Sequence, residues 1–320
     1  MTSPRRPAAW KLLLAFAIIY LVWGSTYLAI RIGVREIPPF LMAGLRFTVA
    51  GAVLWAWMRA TGTPLPTWRE WRDASVLGTL MFLIDYACLF WAEQRVPSGI
   101  AAVILAMIPV CITLLEITFL RSQRLTLRLA MGLGIGIVGV VVLMSPSLGE
   151  APLDHRGVIA LLVSCCGWSV GTIITKRLTL PESKPMSAAA QMLSGGVQLL
   201  ALAAVAGEFT HFRARNISSG AWLSLVYLII AGSIISFTAY VWLLHYESPT
   251  KVGTYAYVNP VVAVILGSTL GGESMGWRTI LGTALILISL AAITTMKRKQ
   301  LGPADADVSR EMRLKTIGDY

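Results

Sequence analysis

The sequence predicts an all-α integral membrane protein with ten transmembrane helices, arranged as two inverted five-helix repeats. Of its 320 residues, 56% are hydrophobic and only 13% are charged, and the mean hydropathy is +0.70, unlike a soluble domain. The apolar residues form blocks of about twenty, long enough to cross a hydrocarbon core of roughly 30 Å. The chain also repeats itself at an offset close to half its length, which is typical of proteins built from membrane repeats.

The apolar blocks follow one another with short polar connections. Their predicted bounds are 12–30, 40–58, 74–94, 99–119, 127–144, 157–176, 187–206, 222–244, 250–270 and 278–296. The first block follows Arg5, Arg6 and Lys11, a pattern also found in cleaved signal peptides. Because the apolar run continues to Ile30 and its removal would delete the partner of the sixth block, we expect a retained helix.

The internal repeat relates two segments that each end in a proline within an apolar block. Trp91–Pro109 and Trp242–Pro260 lie 151 residues apart and have the same internal spacing. Earlier blocks repeat at an offset of 145 residues, which aligns Trp23 with Trp168. Each copy holds five blocks, an odd number, so the second copy must enter the membrane from the opposite side.

The repeat and its flanking segments predict the division of the chain. We expect a cytoplasmic N-terminus at 1–11, a first repeat at 12–145 and a linker at 146–156 in which Pro152 disfavours helix. The second repeat follows at 157–296. The charged, non-periodic residues 297–320 are expected to be a disordered cytoplasmic tail.

Basic residues predict how the chain lies in the membrane. Of the 27 Lys and Arg residues, 19 lie on segments that are cytoplasmic if the N-terminus is inside, and seven lie on the opposite side. This excess predicts a multi-pass protein of a bacterial-type inner membrane with both termini in the cytoplasm. It also accounts for the net charge of +11, so no nucleic acid partner is expected.

Three charged residues lie well within apolar blocks: Arg46, Asp85 and Glu116. A charge in hydrocarbon costs about 2.5–3.5 kcal/mol on the lenient insertion scale, so such groups are expected to face a cavity or each other. At 1.5 Å per residue, Arg46 and Asp85 both lie about 10–14 Å deep and could pair. Two hypotheses stay open for them: a static ion pair, or a role in substrate binding or proton coupling. Glu116, nearer the interface, could extend to water.

Aromatic and polar residues gather near the same depth in both repeats. Aromatic rings can hold an amphipathic or cationic solute, and amides and hydroxyls can orient it by hydrogen bonding. The alternative is that they form interfacial belts or core packing. Together with Arg46 and Asp85, the candidate substrate-binding residues are Trp23, Thr26, Trp168, Thr172, Gln191, Tyr255, Tyr257 and Asn259.

Pro109 and Pro260 are candidate hinges. Each removes one backbone hydrogen bond, which would free the carbonyls of Leu105 and Ala256. A proline kink can offer a carbonyl to a substrate or serve only helix packing. Their equivalent positions favour symmetric hinges between the repeats.

Small residues repeat along the fifth block, at Gly132, Gly134, Gly136 and Gly139. This spacing predicts a close-packing helix face. The partner is either the neighbouring half of the same chain or a second subunit, so a homodimer is one of two alternatives.

Several short motifs resemble those of EamA-type members of the drug/metabolite transporter superfamily. They are Trp23–Tyr27, Arg46-Phe47, Pro97–Ala102 and Tyr255–Val261, and the resemblance covers residues 12–296 in two copies. It implies a ten-helix inverted-repeat carrier that works by alternating access without ATP and mostly exports amino acids, related metabolites or drugs. The first four helices of each half would line a central cavity. The family often carries an acidic residue after both the fourth and the ninth helix, whereas here only Glu273 fits.

We therefore expect a secondary active transporter that exports a small metabolite such as an amino acid around a midplane cavity, with proton coupling as one mode of energisation. An exporter of lipophilic or cationic drugs is the alternative, ahead of a membrane scaffold or an intramembrane enzyme. The expected partners are a small-molecule substrate and the lipid bilayer. No cofactor or metal is expected, because His155, His211 and His245 are isolated and no GxxxxGK[ST] run occurs.

Overall fold

The computed structural model describes residues 7–118, 126–144, 154–246, 252, 255–273 and 275–294, and within them every regular element is a helix. The first half contains α1 (Ala9–Gly33), α2 (Pro39–Ala60), α3 (Trp68–Glu93), α4 (Ser98–Leu105), α5 (Ile108–Thr118) and α6 (Leu127–Met144). The second half contains α7 (His155–Ile174), α8 (Lys184–Val205), α9 (segments Ser219–Tyr227, Leu228–Ile235 and Ser236–Tyr246), α10 (Tyr255–Thr269) and α11 (Trp277–Thr294). The predicted tail and most of the predicted linker lie outside the described residues.

Six of these helices are long and apolar enough to cross a membrane: Ala9–Gly33, Pro39–Ala60, Trp68–Glu93, His155–Ile174, Lys184–Val205 and Ser219–Tyr240. Large apolar side chains such as Leu13, Leu21 and Ile159 are exposed on their outer faces, where lipid would cover them. The chain is therefore a multi-pass membrane protein. The other apolar helices are shorter within the described residues, so ten crossings stay a prediction.

Helix starts follow from local capping chemistry. Thr67 and Glu70 form a capping box at the start of α3, in which each side chain accepts from the other residue's backbone N–H. Side chains of Asp154, Ser183 and Ser218 cap α7, α8 and α9 by accepting one backbone N–H each. These caps fix where α3, α7, α8 and α9 begin, two to six residues before the predicted apolar blocks.

Glycines bring α2 and α8 of the two halves into close contact. A Cβ added at Gly51 would lie 2.8 Å from the backbone N of Leu193, and one at Gly196 would lie 2.5 Å from the backbone N of Thr48. The halves also meet where α1 packs on α10 and α4 packs on α7, which are equivalent pairs in the two repeats. The halves therefore meet through at least three helix pairs, α2–α8, α1–α10 and α4–α7.

The glycines of α6 pack against α11 of the other half. The Ser289 hydroxyl donates to the Gly132 carbonyl at 2.6 Å, and a Cβ at Gly139 would lie 2.8 Å from Ile286. Of the two partners predicted for this face, the neighbouring half occupies it. A homodimer through another surface stays a prediction.

Both halves contain a π-helical segment at an equivalent place. Gly78–Ile84 interrupts α3, and Leu228–Ile235 interrupts α9. The first packs against α8 and the second against α2. A π-helical turn leaves backbone groups poorly matched to the regular ladder and often marks a functional position.

The two prolines differ in their effect on the backbone. Pro109 follows a break, because α4 ends at Leu105 and α5 begins at Ile108 after a two-residue turn. Pro260 lies inside α10, which continues through it. Only the first repeat therefore combines its proline with a helix break among the described residues. A hinge role for both stays a prediction.

Candidate substrate-binding site

Arg46 of α2 lies at the centre of the site and is only 2% exposed. Its Nε donates to the Ser233 hydroxyl oxygen at 2.9 Å. Its guanidinium lies over the rings of Phe47, at 4.6 Å, and Tyr86, at 5.2 Å. Its buried Nη1 has no hydrogen-bond partner among the described residues. The N–H groups on Nη1 are therefore left to bind another group.

The π-helical segment of α9 gathers three residues of the first half. The Trp23 indole N–H donates to the Gly232 carbonyl at 3.1 Å. A Cβ at Gly232 would lie 2.9 Å from Thr26 Cγ2 and 3.2 Å from Arg46 Nη2. Gly232 is thus small because α1 and α2 approach its backbone directly. The predicted residues Trp23, Thr26 and Arg46 therefore meet at Gly232 and Ser233. Ser233 was not among the candidates predicted from the sequence.

Aromatic rings from the second half extend this cluster. The Trp23 ring centroid lies 5.0 Å from that of Tyr255 and 5.2 Å from that of Tyr240, with Phe237 at 6.5 Å. Such tilted and edge-on pairs are favourable aromatic geometries. Of these partners only Tyr255 was predicted.

The ninth predicted helix contributes Asn259 next to this cluster. With its amide nitrogen as donor, Asn259 bonds to the carbonyls of Tyr20, at 3.1 Å, and Tyr255, at 3.2 Å. It therefore links α10 to α1 and supports the aromatic cluster. Tyr257 belongs to α10, but its side chain lies outside the described part of the structure.

Asp85 of α3 is buried and accepts a hydrogen bond from the Ser164 hydroxyl of α7. The ion pairs of the described residues do not include Arg46 with Asp85, and each of the two side chains bonds to a separate hydroxyl. Their charges still attract over a longer distance. This arrangement does not favour the static ion-pair hypothesis.

Trp168, Thr172 and Gln191 lie on α7 and α8. The Thr172 hydroxyl donates to the Trp168 carbonyl at 2.8 Å, and the Gln191 amide donates to the Ser187 hydroxyl at 3.0 Å. These side-chain hydrogen bonds stay within one helix each. The helices α7 and α8 that carry these candidates both pack against the π-helical segment of α3, as α2 packs against that of α9.

Side chains of α7 meet carbonyls at the α4–α5 break. Cys165 Sγ donates to the Ile104 carbonyl at 3.4 Å, and the Ser169 hydroxyl approaches the Ile108 carbonyl at 3.3 Å. The carbonyl expected to be free was that of Leu105. Side chains of the second repeat thus bond to the Ile104 and Ile108 carbonyls on either side of this break.

At one end of the bundle, α1 ends, α2 begins, α3 ends and α4 begins; we call this the α1–α2 end. Here Glu36 accepts from the Ser218 backbone N–H at 2.6 Å and from its hydroxyl at 2.7 Å, at the start of α9. These donors hold the pKa of the Glu36 carboxyl below its usual value.

Glu208, in the connection after α8, makes a reciprocal contact. It accepts from the backbone N–H groups of Leu41, at 2.7 Å, and Phe40, at 3.3 Å, at the start of α2. Partial burial raises the pKa of the Glu208 carboxyl, and the two N–H donors oppose that rise. Each half therefore caps a helix of the other.

Glu273 makes a third contact of this kind. It accepts from the backbone N–H and hydroxyl of Ser98, both at 2.7 Å, and from the Gly99 N–H at 3.1 Å, at the start of α4. Gly272, with φ of 65°, turns the chain back after α10. A Cβ at Gly267 would collide with this carboxylate. Gln123, aligned with Glu273 in the first half, lies outside the described residues.

A carboxylate at a helix N-terminus is stabilised by free N–H groups and by the helix dipole. Three such contacts join the halves at the α1–α2 end. At the opposite end, Asp73 accepts from the Thr179 backbone N–H at 2.8 Å. The contacts between the halves that a carboxylate makes at a helix N-terminus thus concentrate at the α1–α2 end among the described residues.

Comparison with known proteins gives the family. The EamA-like transporter family model matches twice, at residues 10–145 and 155–295. The uncharacterized inner membrane transporter YedA of Escherichia coli (strain K12) is 37% identical over 305 residues, which cover 93% of this chain and 96% of that protein.

More distant relatives cover similar lengths. Protein PecM of Dickeya dadantii is 25% identical over 290 residues, covering 89% of this chain and 94% of that protein. A probable amino-acid metabolite efflux pump of Salmonella typhimurium is 24% identical over 279 residues, covering 85% and 91%. A crystal structure with 23% identity covers 89% of this chain and 96% of its own, with a TM-score of 0.59, and supports the fold.

Proposed function

Because the chain belongs to the EamA-like transporter family, we propose that it is a secondary active exporter of a small metabolite bearing a carboxylate, such as an amino acid. Its ten helices would form two inverted repeats around a midplane site. The name of one relative, a probable amino-acid metabolite efflux pump, is compatible with this substrate class.

The observation that supports the substrate class is the unpartnered Nη1 of the buried Arg46. A buried guanidinium with an unused donor is costly, and a carboxylate can bind it with a fixed geometry and a strong charge-assisted hydrogen bond. Ser233 holds Nε, so the guanidinium is oriented before a substrate arrives. Pre-organisation of this kind reduces the entropy lost on binding.

Groups near Arg46 suit the other end of an amino acid. Asp85 supplies a negative charge on α3, and the Trp23, Tyr240 and Tyr255 rings offer faces and edges for an ammonium or an apolar side chain. The same aromatic cluster is what favours the second candidate, an exporter of lipophilic cations. That candidate does not need Arg46.

Alternating access would use the asymmetry between the two ends of the bundle. Three carboxylate contacts join the halves at the α1–α2 end, which the charge distribution predicts to be extracytoplasmic. We assign this conformation to a state closed on that side. Opening would separate the halves there, with the α4–α5 break before Pro109 and the proline of α10 as hinges.

The function is tested by uptake into inverted membrane vesicles from a transporter-poor strain. Radiolabelled amino acids and cationic dyes are compared, each with and without a pH gradient. We expect amino acids to enter faster than in vesicles that lack the protein. Dye uptake without amino acid uptake would favour the second candidate, and no excess uptake of either class would contradict export.

Variants of the two buried charges test the site. Arg46→Ala and Asp85→Asn are each expected to abolish amino acid uptake while expression stays intact, because a binding charge is lost. Arg59→Ala is the matched control, since Arg59 lies on the same helix at its exposed end. Loss of folded protein in both variants, but not in the control, would support a structural role for the charges instead.

A further inference from the structure

Glu93, the last residue of α3, is completely buried, with a relative exposure of 0%. Neither of its carboxyl oxygens has a hydrogen-bond partner among the described residues. The position looks ordinary in the sequence, because a glutamate near the end of an apolar block usually reaches water. In the folded structure, the Glu93 side chain does not reach water.

The charged neighbours of Glu93 do not neutralise it by direct contact. Arg31 of α1 donates through Nη1 to the backbone carbonyls of Glu93 and Val96, so this donor is used by the backbone. The Arg31 Nε is itself buried without a partner. Glu273, Arg31 and Arg46 act on the Glu93 carboxyl through longer-range charge interactions, repulsive from Glu273 and attractive from the two arginines.

Other titratable groups border this position. Tyr27 of α1 interacts with the charge of Glu93 at longer range. Arg95 and Asp154, near the start of α7, form an ion pair at 3.6 Å and are partly exposed. Glu273 itself is bound to the start of α4. Glu93 thus lies at the α1–α2 end, and its carboxyl interacts at longer range with both Glu273 and Arg46.

An ionised carboxylate without hydrogen bonds is very costly in such a place, whereas the protonated form is neutral. The cost applies only while the α1–α2 end excludes water. If the halves separate there, water can solvate the carboxylate and the ionised form becomes acceptable. Proton occupancy of Glu93 and closure of this end are therefore thermodynamically linked.

We propose that Glu93 is the proton-binding carboxyl that couples transport to the pH gradient, taking up one proton from water when the α1–α2 end closes. This inference rests on the proposed export function. In an exporter, the proton would drive the return of the empty carrier, and its release toward the cytoplasm would allow the α1–α2 end to open again with substrate bound.

The proton site is tested first without any substrate. Purified protein in lipid vesicles is titrated while the carbonyl stretch of protonated carboxyl groups is followed by infrared difference spectroscopy. We expect a titrating band in the wild type that is missing in Glu93→Gln and retained in Asp85→Asn. Two results would overturn the proposal. One is a wild type without such a band, which an Arg31–Glu93 ion pair would give. The other is a band that is unchanged in Glu93→Gln.

Coupling is tested in inverted vesicles with a mixture of radiolabelled amino acids. A pH difference of about one unit sustains at most about tenfold accumulation per coupled proton. In Glu93→Gln we expect accumulation to fall to that of vesicles without a gradient, while exchange of internal for external amino acid continues. Glu182→Gln, at an exposed glutamate, is the control and should accumulate as the wild type does.

Three further outcomes keep the tests separable. Gradient-driven accumulation that persists in Glu93→Gln would overturn the proposal. If Glu93→Gln does not fold, Glu93→Asp replaces it. This variant should retain gradient-driven accumulation and the infrared band, which should titrate at a shifted pH. Loss of both in a folded Glu93→Asp would also overturn the proposal. A wild type without any exchange would refute the export function, and the infrared titration would still decide the proton site.

Discussion

Arg46 shows how one residue combines sequence-visible and sequence-hidden features. Its charge within an apolar block identifies it as a candidate, because such a charge is expensive without a purpose. What makes it useful is the Ser233 hydroxyl on the opposite half, which holds Nε, and the Phe47 and Tyr86 rings, which support the guanidinium plane. The free Nη1 follows from that orientation.

Ser233→Ala should weaken substrate binding without removing any charge. Loss of a hydrogen bond to a buried charged group costs about 1.5–3 kcal/mol, so the KM for amino acid uptake should rise roughly ten- to a hundredfold with little change in kcat. Concentration-dependent uptake into inverted vesicles measures both parameters.

Ser236→Ala is the matched control for this prediction. The Ser236 hydroxyl is buried on the same helix but donates to the Ala231 carbonyl within α9, at 2.7 Å. Its removal should leave KM unchanged. Equal changes in KM for both variants would show that the effect comes from α9 and not from the orientation of Arg46.

At the scale of elements, the α2–α8 contact positions the site. Glycines let the two backbones approach closely, and each helix then faces the π-helical segment of a helix in the opposite half. Because Arg46 and Gln191 occupy equivalent places on α2 and α8, the same packing presents a cation in one half and an amide in the other. A symmetric scaffold thus carries an asymmetric site.

Gly196→Ala should destabilise this contact. The new methyl group would lie 2.5 Å from the Thr48 backbone N, and backbone cannot move aside cheaply, so a loss of about 1–3 kcal/mol is expected. Thermal unfolding of the purified protein in detergent should show a lower Tm.

Gly134→Ala serves as the comparison. No described atom lies within 4 Å of the added Cβ, and alanine is the better helix former. Its Tm should be unchanged or higher. A Tm of Gly196→Ala equal to that of the wild type would mean that α2 and α8 are less closely packed than the structure shows.

At the scale of the whole molecule, carboxylates at helix N-termini hold the α1–α2 end together. Glu36 and Glu208 act in opposite directions, each from one half to a helix of the other, and Glu273 adds a third contact. Contacts of this type are individually modest and depend on ionised carboxylates. Such an end can be stable and still open during a transport cycle.

Acid should loosen this end through Glu36. Its folded-state pKa is lowered by the Ser218 N–H and hydroxyl donors, so the contact is at full strength above the ordinary carboxyl pKa and is lost as pH falls through the lowered value. Spin labels at exposed Arg35 and Gly220, in a background without native cysteines, should report longer distances in that acidic range.

Glu36→Gln should give the longer distances already at neutral pH, because it keeps the side-chain size and removes the charge. Glu182→Gln, an exposed glutamate outside this group of contacts, should behave as the wild type. If neither acid nor Glu36→Gln changes the distances between the spin labels, this carboxylate has no role in holding the halves together.

Much of the fold could be predicted because its determinants are local. Apolar block length and the doubled Trp–Pro segments predict where helices lie and that the chain is built twice, as the double family match confirms. Arg46 and Asp85 were found by the same local signal, a charge among apolar residues. Ser233, Ser164 and Glu93 were not, since serines and helix-end glutamates are common in such sequences.

The sequence by itself determined the membrane class, the repeat and the two buried charges, because hydrophobicity and repetition can be seen along one chain. Only the tertiary structure decided that Arg46 meets Ser233 instead of Asp85, that the α6 glycines pack on α11, and that Glu93 is cut off from water. The reason is physical: a hydrogen-bond partner, a close approach or the loss of solvent depends on residues far away in the sequence.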